Sequence, residues 1–395
     1  MKILYIHQYF KTPNEPGGTR SYWISKKLIE YGHQVVVLTS SSTIDSKIVR
    51  KVIDGIEVVY FKVDYNQSMS FFERLWSFIR FMMHSTLFAF KLKKVDLVIA
   101  TSTPLTVGFP ALVLKYFKNI PYLFEVRDLW PEVPIQMGGL KNPILKNLSI
   151  FFEKTIYWHA KHIICLSPGM VNGVIKYTTP HKVSMIPNMA KVDKFWPREK
   201  NEQMMEYLGL TKNSFKVIHF GSLGIANDGM SIIHAAEKLL KDSSVQFVFI
   251  GGGSTEEELK YYCHSKRLNN VFFLGKYSMN ETSEIVNFCD VSIVSFKNLP
   301  ILYTNSPNKF FDSLSAGKPI IVNSAGWTKD LVIDTNCGYF VNPDRPDELV
   351  TIIKKLKNDP TLCISMGNNA RKLAEEKYDK NILCCQYIEV IKKIH

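Results

Sequence analysis

Several familiar signatures are missing from this sequence. Its seven cysteines (165, 263, 289, 337, 363, 384 and 385) form no CxxC pair and join no Cys/His cluster. That removes the zinc-ribbon and disulfide-scaffold classes, and the odd, scattered set reads as reduced core thiols of a cytosolic protein. GxSxG, HExxH and GK[ST] do not occur, so a serine triad, a zincin site and a Walker phosphate loop all lack their signatures. Long uncharged apolar runs are lacking too. The richest stretch, residues 71–94, is interrupted by Arg80 and His84, which argues against a spanning helix. The opening MKILYIHQYF turns apolar at Ile3 and stops at His7, the layout of a first strand and not of a secretory leader.

What remains is a chain of 395 residues, 46% apolar and 22% charged, enough for two to three domains with sizeable cores. Its net charge of +13 is lopsided: residues 1–195 hold 25 Lys/Arg against 13 Asp/Glu, and residues 196–395 hold 24 against 23. A basic first half predicts a polyanionic partner for that half. Because no nucleic-acid-binding motif accompanies the charge, an anionic membrane surface is the expected partner and nucleic acid is not.

The order of apolar runs predicts an α/β architecture. KILYIHQYF, the loop PNEPGGTR, the helical SYWISKKLIEYG and the apolar HQVVVLTSS make a βαβ unit. DLVIATS, PYLFEVRD and HIICLSP continue it. After a Pro-rich, charged connector at 186–200 the pattern restarts with FKVIHFGSLG, VQFVFIGGGS, VFFLGKY, VSIVSF and PIIVNS. We therefore expect two doubly wound, Rossmann-like domains, 1–190 and 191–375, facing across a cleft, with a final helix over 376–395 that packs back on the first. Ligands in such sheets lie beyond the carboxyl ends of the strands. Residues 71–94 interleave Phe and Trp with Arg74, Arg80, Lys91, Lys93 and Lys94, the composition of a helix lying in a bilayer interface.

One lysine stands in an awkward place. In TNSPNKFFDSLSAGKPII, Ser306, Pro307 and Asn308 read as N-cap, N1 and N2 of a helix closed by Gly317, so Lys309 sits in the first turn. A cation there opposes the helix dipole unless an anion binds beside it. FGSLGIANDG could bring backbone N–H groups to a phosphate through Gly221 and Gly224, and Pro16-Gly17-Gly18-Thr19-Arg20 is another glycine loop at a strand's carboxyl side. FIGGGS reads as structural. EVRDLWPE crowds Glu125, Arg127, Asp128 and Glu132 at a strand end, where such groups need partners.

Together, MKILYIHQYF, GGTRSYW, EVRDLWPE, IPN, GSLG and SPNKFFDSLSAGKPII resemble glycosyltransferase family 4, and within it the fucosamine-transferase-like branch of bacterial surface-polysaccharide enzymes. The resemblance implies a GT-B fold and a retaining transfer without metal or cofactor. The donor would be a nucleotide-sugar, with UDP and an N-acetylhexosamine type favoured by the branch. The acceptor would be a polyprenyl-diphosphate-linked glycan of O-antigen or capsule, at the inner face of the cytoplasmic membrane. It further implies that Gly17 and Gly18 contact the donor diphosphate, that Lys309 neutralises it, and that Asp312 binds the ribose. Ser222, Gly221, Gly224, Thr304, Ser306 and Asn308 complete the expected donor site. The family's first acid is Thr304 here, and its two loop cations are replaced by Ser222 and by Asn227 or Asp228. Charge then falls on Lys309, with Arg20 or Arg127 as helpers. Arg127 and Asp128 stand where relatives contact sugar, with Glu125 and Glu132 on the acceptor side. Two rival readings share the architecture, a UDP-sugar 2-epimerase and a membrane-docked scaffold with a degenerate nucleotide site.

Overall fold

The computed structural model describes residues 1–66 and 69–394. The chain divides into two compact units, one comprising Met1–Thr12, Gly18–Pro187 and Leu383–His395, the other Pro13–Gly17 and Asn188–Ile382. The first carries strands β1 (Lys2–Ile6), β2 (Gln34–Ser41), β3 (Ile48–Ile53), β4 (Ile56–Lys62), β5 (Leu97–Thr101), β6 (Tyr122–Val126), β7 (His162–Cys165) and β8 (Val183–Met185). Their order across the sheet is β3-β4-β2-β1-β5-β6-β7-β8, with every pairing parallel except β3 with β4. β5 and β6 are buried along their whole length, as expected for strands covered by helices on both faces.

The second unit carries β9 (Phe215–Ser222), β10 (Val245–Gly252), β11 (Val271–Gly275), β12 (Val291–Val294), β13 (Ile320–Val322) and β14 (Gly338–Phe340), in the order β11-β10-β9-β12-β13-β14 and wholly parallel. Side chains alternate between two cores, Val217, Phe247, Phe249 and Ile293 on one face, Ile218, Phe220, Val248 and Ile250 on the other. Strand order reverses between β1 and β5 in one sheet and between β9 and β12 in the other, the positions where such sheets open a ligand crevice.

Four strands lie outside the sequence reading. β3 and β4 form a hairpin through Asp54 (φ 50°) and Gly55 (φ 86°), the Asp-Gly turn whose twist suits antiparallel strands. β3 is mostly exposed and so lacks an apolar stripe, and β8 and β14 have three residues each.

Residues 71–94 yield a helix, Phe71–Lys91, started by a reciprocal capping box between Ser70 and Glu73. Phe78, Phe81, Ser85 and Ala89 face the core, while Phe72, Trp76, Met83, Leu87 and Phe90 are exposed. Among the described residues no helix is long and apolar enough to cross a membrane.

The β9 and β10 ends meet glycine to glycine, Gly221 opposite Gly251. Gly251 has φ +124°, and a Cβ on it would fall 1.8 Å from the Gly221 carbonyl oxygen. FIGGGS is structural in a specific sense: it lets the GSLG turn approach. Gly251→Ala should therefore cost more than about 3 kcal/mol. Gly275→Ala, where φ is +82° but nothing lies within 4 Å, should cost about 1 kcal/mol. Denaturant unfolding of both variants measures the difference, and equal losses would remove the close-approach argument.

Candidate active site

The site is clearest in the second unit, at the β9/β12 reversal. The helix Asn308–Ser315 begins one residue later than the sequence suggests, with Pro307 at its N-cap. Ser306 is drawn off: its hydroxyl accepts the Asn188 backbone N–H at 3.2 Å, and the Asn188 amide donates to its carbonyl. At the other end Gly317 takes φ +61°. The N–H groups of Gly317 and Lys318 return to Leu314 and Ser313, a Schellman-type closure, and Arg371 caps the Ser315 carbonyl at 2.6 Å. Phe310, Phe311 and Leu314 are fully buried and fix the helix's rotation.

That rotation carries Lys309 inward, to 9% exposure. Its ammonium donates to Asn227 Oδ1 at 3.0 Å and lies 3.2 Å from His219 Nε2, with the Phe296 ring centroid at 6.0 Å. No carboxylate among the described residues pairs with it. Burial alone lowers its pKa to about 7. His219 is pushed well below its ordinary value by burial and by the adjacent lysine. It is therefore neutral, and its Nε2 accepts from Lys309. Gly221 takes φ +108°, a conformation that favours glycine, and its Cα side lies against the Lys309 stem, where a Cβ would meet Cε at an ordinary contact distance of 3.4 Å.

The GSLG turn distributes its polar groups unequally. Asn227 serves Lys309, whereas Asp228 caps the helix Gly229–Lys238 by accepting from Ser231 N–H. Ser222 Oγ stands beside Gly224, whose carbonyl accepts the Asn227 N–H. Asp312, the expected ribose ligand, lies 2.6 Å from Lys191 Nζ, both largely buried. Thr304 turns its hydroxyl to the Ile301 carbonyl at 2.7 Å. Asn308 is half-buried at the helix's first position.

The first unit gathers the other residues at its strand ends. Arg20 and Glu125 meet each other. Arg20 Nε donates to Glu125 Oε2 at 3.0 Å, its two Nη groups donate to the Pro187 and Ile186 carbonyls, and Thr101 fills Glu125 Oε1 at 2.9 Å. Both side chains are buried, and each guanidinium nitrogen and each carboxylate oxygen has a partner. They hold strand ends together. Arg127 donates to His7 Nε2 at 3.1 Å, and His7 Nδ1 meets Ser21 Oγ at 2.8 Å. Asp128 accepts from Thr103 at 2.7 Å, and burial raises its pKa against the opposing pull of that bond and of Arg127. Glu132 is exposed and bonded to Gln136 within the short helix Glu132–Gln136. Gly17 takes φ +131° and groups with the second unit, whereas Gly18 groups with the first.

His219, Asn227, Lys191 and His7 complete these networks. A histidine within an apolar strand was the available signal for His219 and His7; Lys191 lay in the connector without one. Among the described residues no three His, Cys, Asp or Glu side chains group as a metal site.

Comparison with solved structures agrees with the architecture. A sucrose-phosphate synthase from Thermosynechococcus elongatus superposes with TM-score 0.80 at 15% identity, covering 100% of this chain and 98% of its own. HepE of Anabaena, solved with UDP and glucose, gives 0.73 at 18% identity over 99% of each chain. Residues 17–189 match the glycosyl transferase 4-like domain and residues 200–373 the glycosyl transferases group 1 family. The chain belongs to the GT-B glycosyltransferases. Curated relatives of this glycosyltransferase include an Escherichia coli UDP-Gal:alpha-D-GlcNAc-diphosphoundecaprenol alpha-1,3-galactosyltransferase, 27% identical over 58% of the chain and 59% of that protein. Another is the probable glycosyltransferase WbjE of Pseudomonas aeruginosa, 22% identical over 92% and 91%.

Burying Lys309 without a counter-charge has a measurable sign. Its pKa falls from 10.5 to about 7 on folding, so between those values the unfolded chain holds a proton that the folded one lacks. The penalty is therefore complete below about pH 7 and fades as pH rises toward the unfolded value. Lys309→Met should raise Tm at pH 6, with the gain shrinking by pH 9; a variant that melts lower at pH 6 would contradict the unpaired-cation reading.

Proposed function

We propose that this chain is a retaining, metal-independent glycosyltransferase. It moves an N-acetylhexosamine-type sugar from a UDP-sugar to a polyprenyl-diphosphate-linked glycan in surface-polysaccharide synthesis, O-antigen or capsule, at the inner face of the cytoplasmic membrane. The observation that carries this reading is Lys309: a buried cation without an acid, at a helix N-terminus, beside a glycine turn. A donor diphosphate is the counter-charge that this arrangement lacks. The E. coli relative named for a UDP-sugar donor and a diphosphoundecaprenol acceptor supports the two substrate classes, and HepE, solved with UDP, supports the nucleotide.

As the sugar–phosphate bond breaks, negative charge grows on the leaving UDP. Lys309 and the first N–H groups of Asn308–Ser315 are pre-aimed at that charge, and such preorganised donors are each worth a few kcal/mol in the transition state. Asn227 and neutral His219 hold the amine in place without consuming its charge. In a front-face transfer the departing phosphate takes the acceptor hydroxyl's proton while that oxygen bonds to the anomeric carbon. Asp128, with its raised pKa, and Arg127 orient the acceptor hydroxyls.

Incubation with a panel of UDP- and GDP-sugars, with and without polyprenyl-diphosphate-sugar, tests the proposal. Product is expected only with acceptor. An altered donor in its absence would point to a 2-epimerase, and a protein that binds no donor would be a scaffold. Lys309→Ala should lower turnover at least a hundredfold with an unchanged circular dichroism spectrum; wild-type turnover would remove the diphosphate assignment. UDP should restore the Lys309 proton, so its affinity should fall up to about tenfold per unit above pH 7. A flat calorimetric profile from pH 6 to 9 would count against that linkage.

A further inference from the structure

Three helices of the first unit share one surface: Phe71–Lys91, Gly108–Lys118 and Pro143–His159. The first exposes Phe72, Trp76, Met83, Leu87 and Phe90, which at 100° per residue fall within about 60° of arc. The third, which the sequence reading passed over, exposes Ile144, Leu148, Phe151 and Trp158, the last two at 70% and 65%, within about 80°. The middle helix joins them. Its Phe117 ring lies 6.4 Å from Phe90, its Tyr116 ring 5.1 Å from His159, and Lys118 packs over Phe90 at 4.8 Å.

A soluble surface rarely keeps such stripes uncovered without a partner. The charges around them name its chemistry. The three helices carry Arg74, Arg80, Lys91, Lys115, Lys118, Lys146 and Lys154 against Glu73 and Glu153. Glu153 faces inward at 6% exposure, and burial raises its pKa to about 7. Lys93, Lys94 and Lys141 flank the helix ends. Large aromatics with long basic side chains fit the headgroup level of an anionic bilayer, where rings enter the acyl boundary and ammonium groups reach phosphates.

We propose that Pro143–His159 is a second membrane-contact helix, and that with Phe71–Lys91, bridged by Tyr116 and Phe117, it forms one continuous docking face for an anionic bilayer. The proposal rests on the membrane association in the proposed function and extends it to a helix with no part in that reading. Two tracks fix orientation as well as attachment. A single amphipathic helix can roll about its axis on a surface, and two joined helices cannot.

Vesicle co-sedimentation separates the alternatives. Wild-type protein should bind phosphatidylglycerol/phosphatidylcholine vesicles, bind pure phosphatidylcholine much less, and release with salt. Leu148→Ser/Phe151→Ser should weaken binding at least tenfold, as should Phe72→Ser/Trp76→Ser, with each variant's melting curve near wild type. Loss confined to the Phe72/Trp76 variant overturns the second helix while leaving membrane association intact. No wild-type binding to anionic vesicles overturns both. A concentration-dependent dimer abolished by Leu148→Ser/Phe151→Ser, without vesicle binding, would make this face a self-association surface. Brominated phosphatidylcholine, mixed with phosphatidylglycerol, should quench wild-type tryptophan fluorescence more than that of Trp158→Phe, a readout that does not depend on how the serine variants fold; equal quenching would place Trp158 outside the bilayer and overturn the second track.

Discussion

A lysine ammonium held inside the protein without an acid is the constraint around which the second unit is arranged. Desolvating it costs a few kcal/mol when charged, and the surrounding structure is built to bear that cost. Phe310, Phe311 and Leu314 pin the helix that carries it. Gly221 turns beside its stem with a positive φ, and Gly251 clears Gly221. His219 and Asn227 supply oriented, uncharged acceptors. Replacing either with an acid would satisfy the cation and forfeit its availability. The stability sacrificed at this point is what makes the position able to attract an anion.

The two units use the same sheet architecture, and Arg20 in the first and Lys309 in the second are buried cations in opposite settings, although the second unit also closes Lys191 on Asp312. At the first unit's strand ends, Arg20 meets a carboxylate and two carbonyls and is closed. Removing one member of such a pair typically costs about 3–5 kcal/mol, so it acts as a clasp. At the second unit's strand ends Lys309 meets only neutral groups and stays open. The residues nearest the first unit's clasp that retain polar capacity, Arg127 and Asp128, are steadied through His7 and Thr103 instead.

Much of this was legible in advance where local pattern and packing agree. Continuous apolar runs marked the buried parallel strands because both faces of those strands are covered. They could not mark β3, which faces solvent, or three-residue strands with too little pattern to read, and β4, a buried apolar run paired parallel with β2, was passed over. Lys309 was legible because it violates helix electrostatics, and Gly317 because helix closure demands its backbone. The pairing of Arg20 with Glu125 was not legible because it spans 105 positions, and nothing local distinguishes a paired arginine from a waiting one. The shift of the helix start from Ser306 to Pro307 has the same origin, since Asn188 claims the serine from 118 residues away. The exposed stripe of Pro143–His159 was written in the sequence at helical spacing, but its exposure is a tertiary fact.

The first unit is discontinuous, and its last piece is no ornament. Leu383, Tyr387, Ile388 and Ile391 are almost completely buried within it, and the Tyr387 ring lies 6.0 Å from the Arg20 guanidinium. During synthesis the ribosome delivers the whole of the second unit before those side chains exist. The first unit therefore cannot complete its core ahead of the second unit's synthesis, as an N-terminal domain usually does. Until Leu383–His395 emerges, the first unit must wait with an unsealed core, its basic helices already exposed to whatever surface they meet.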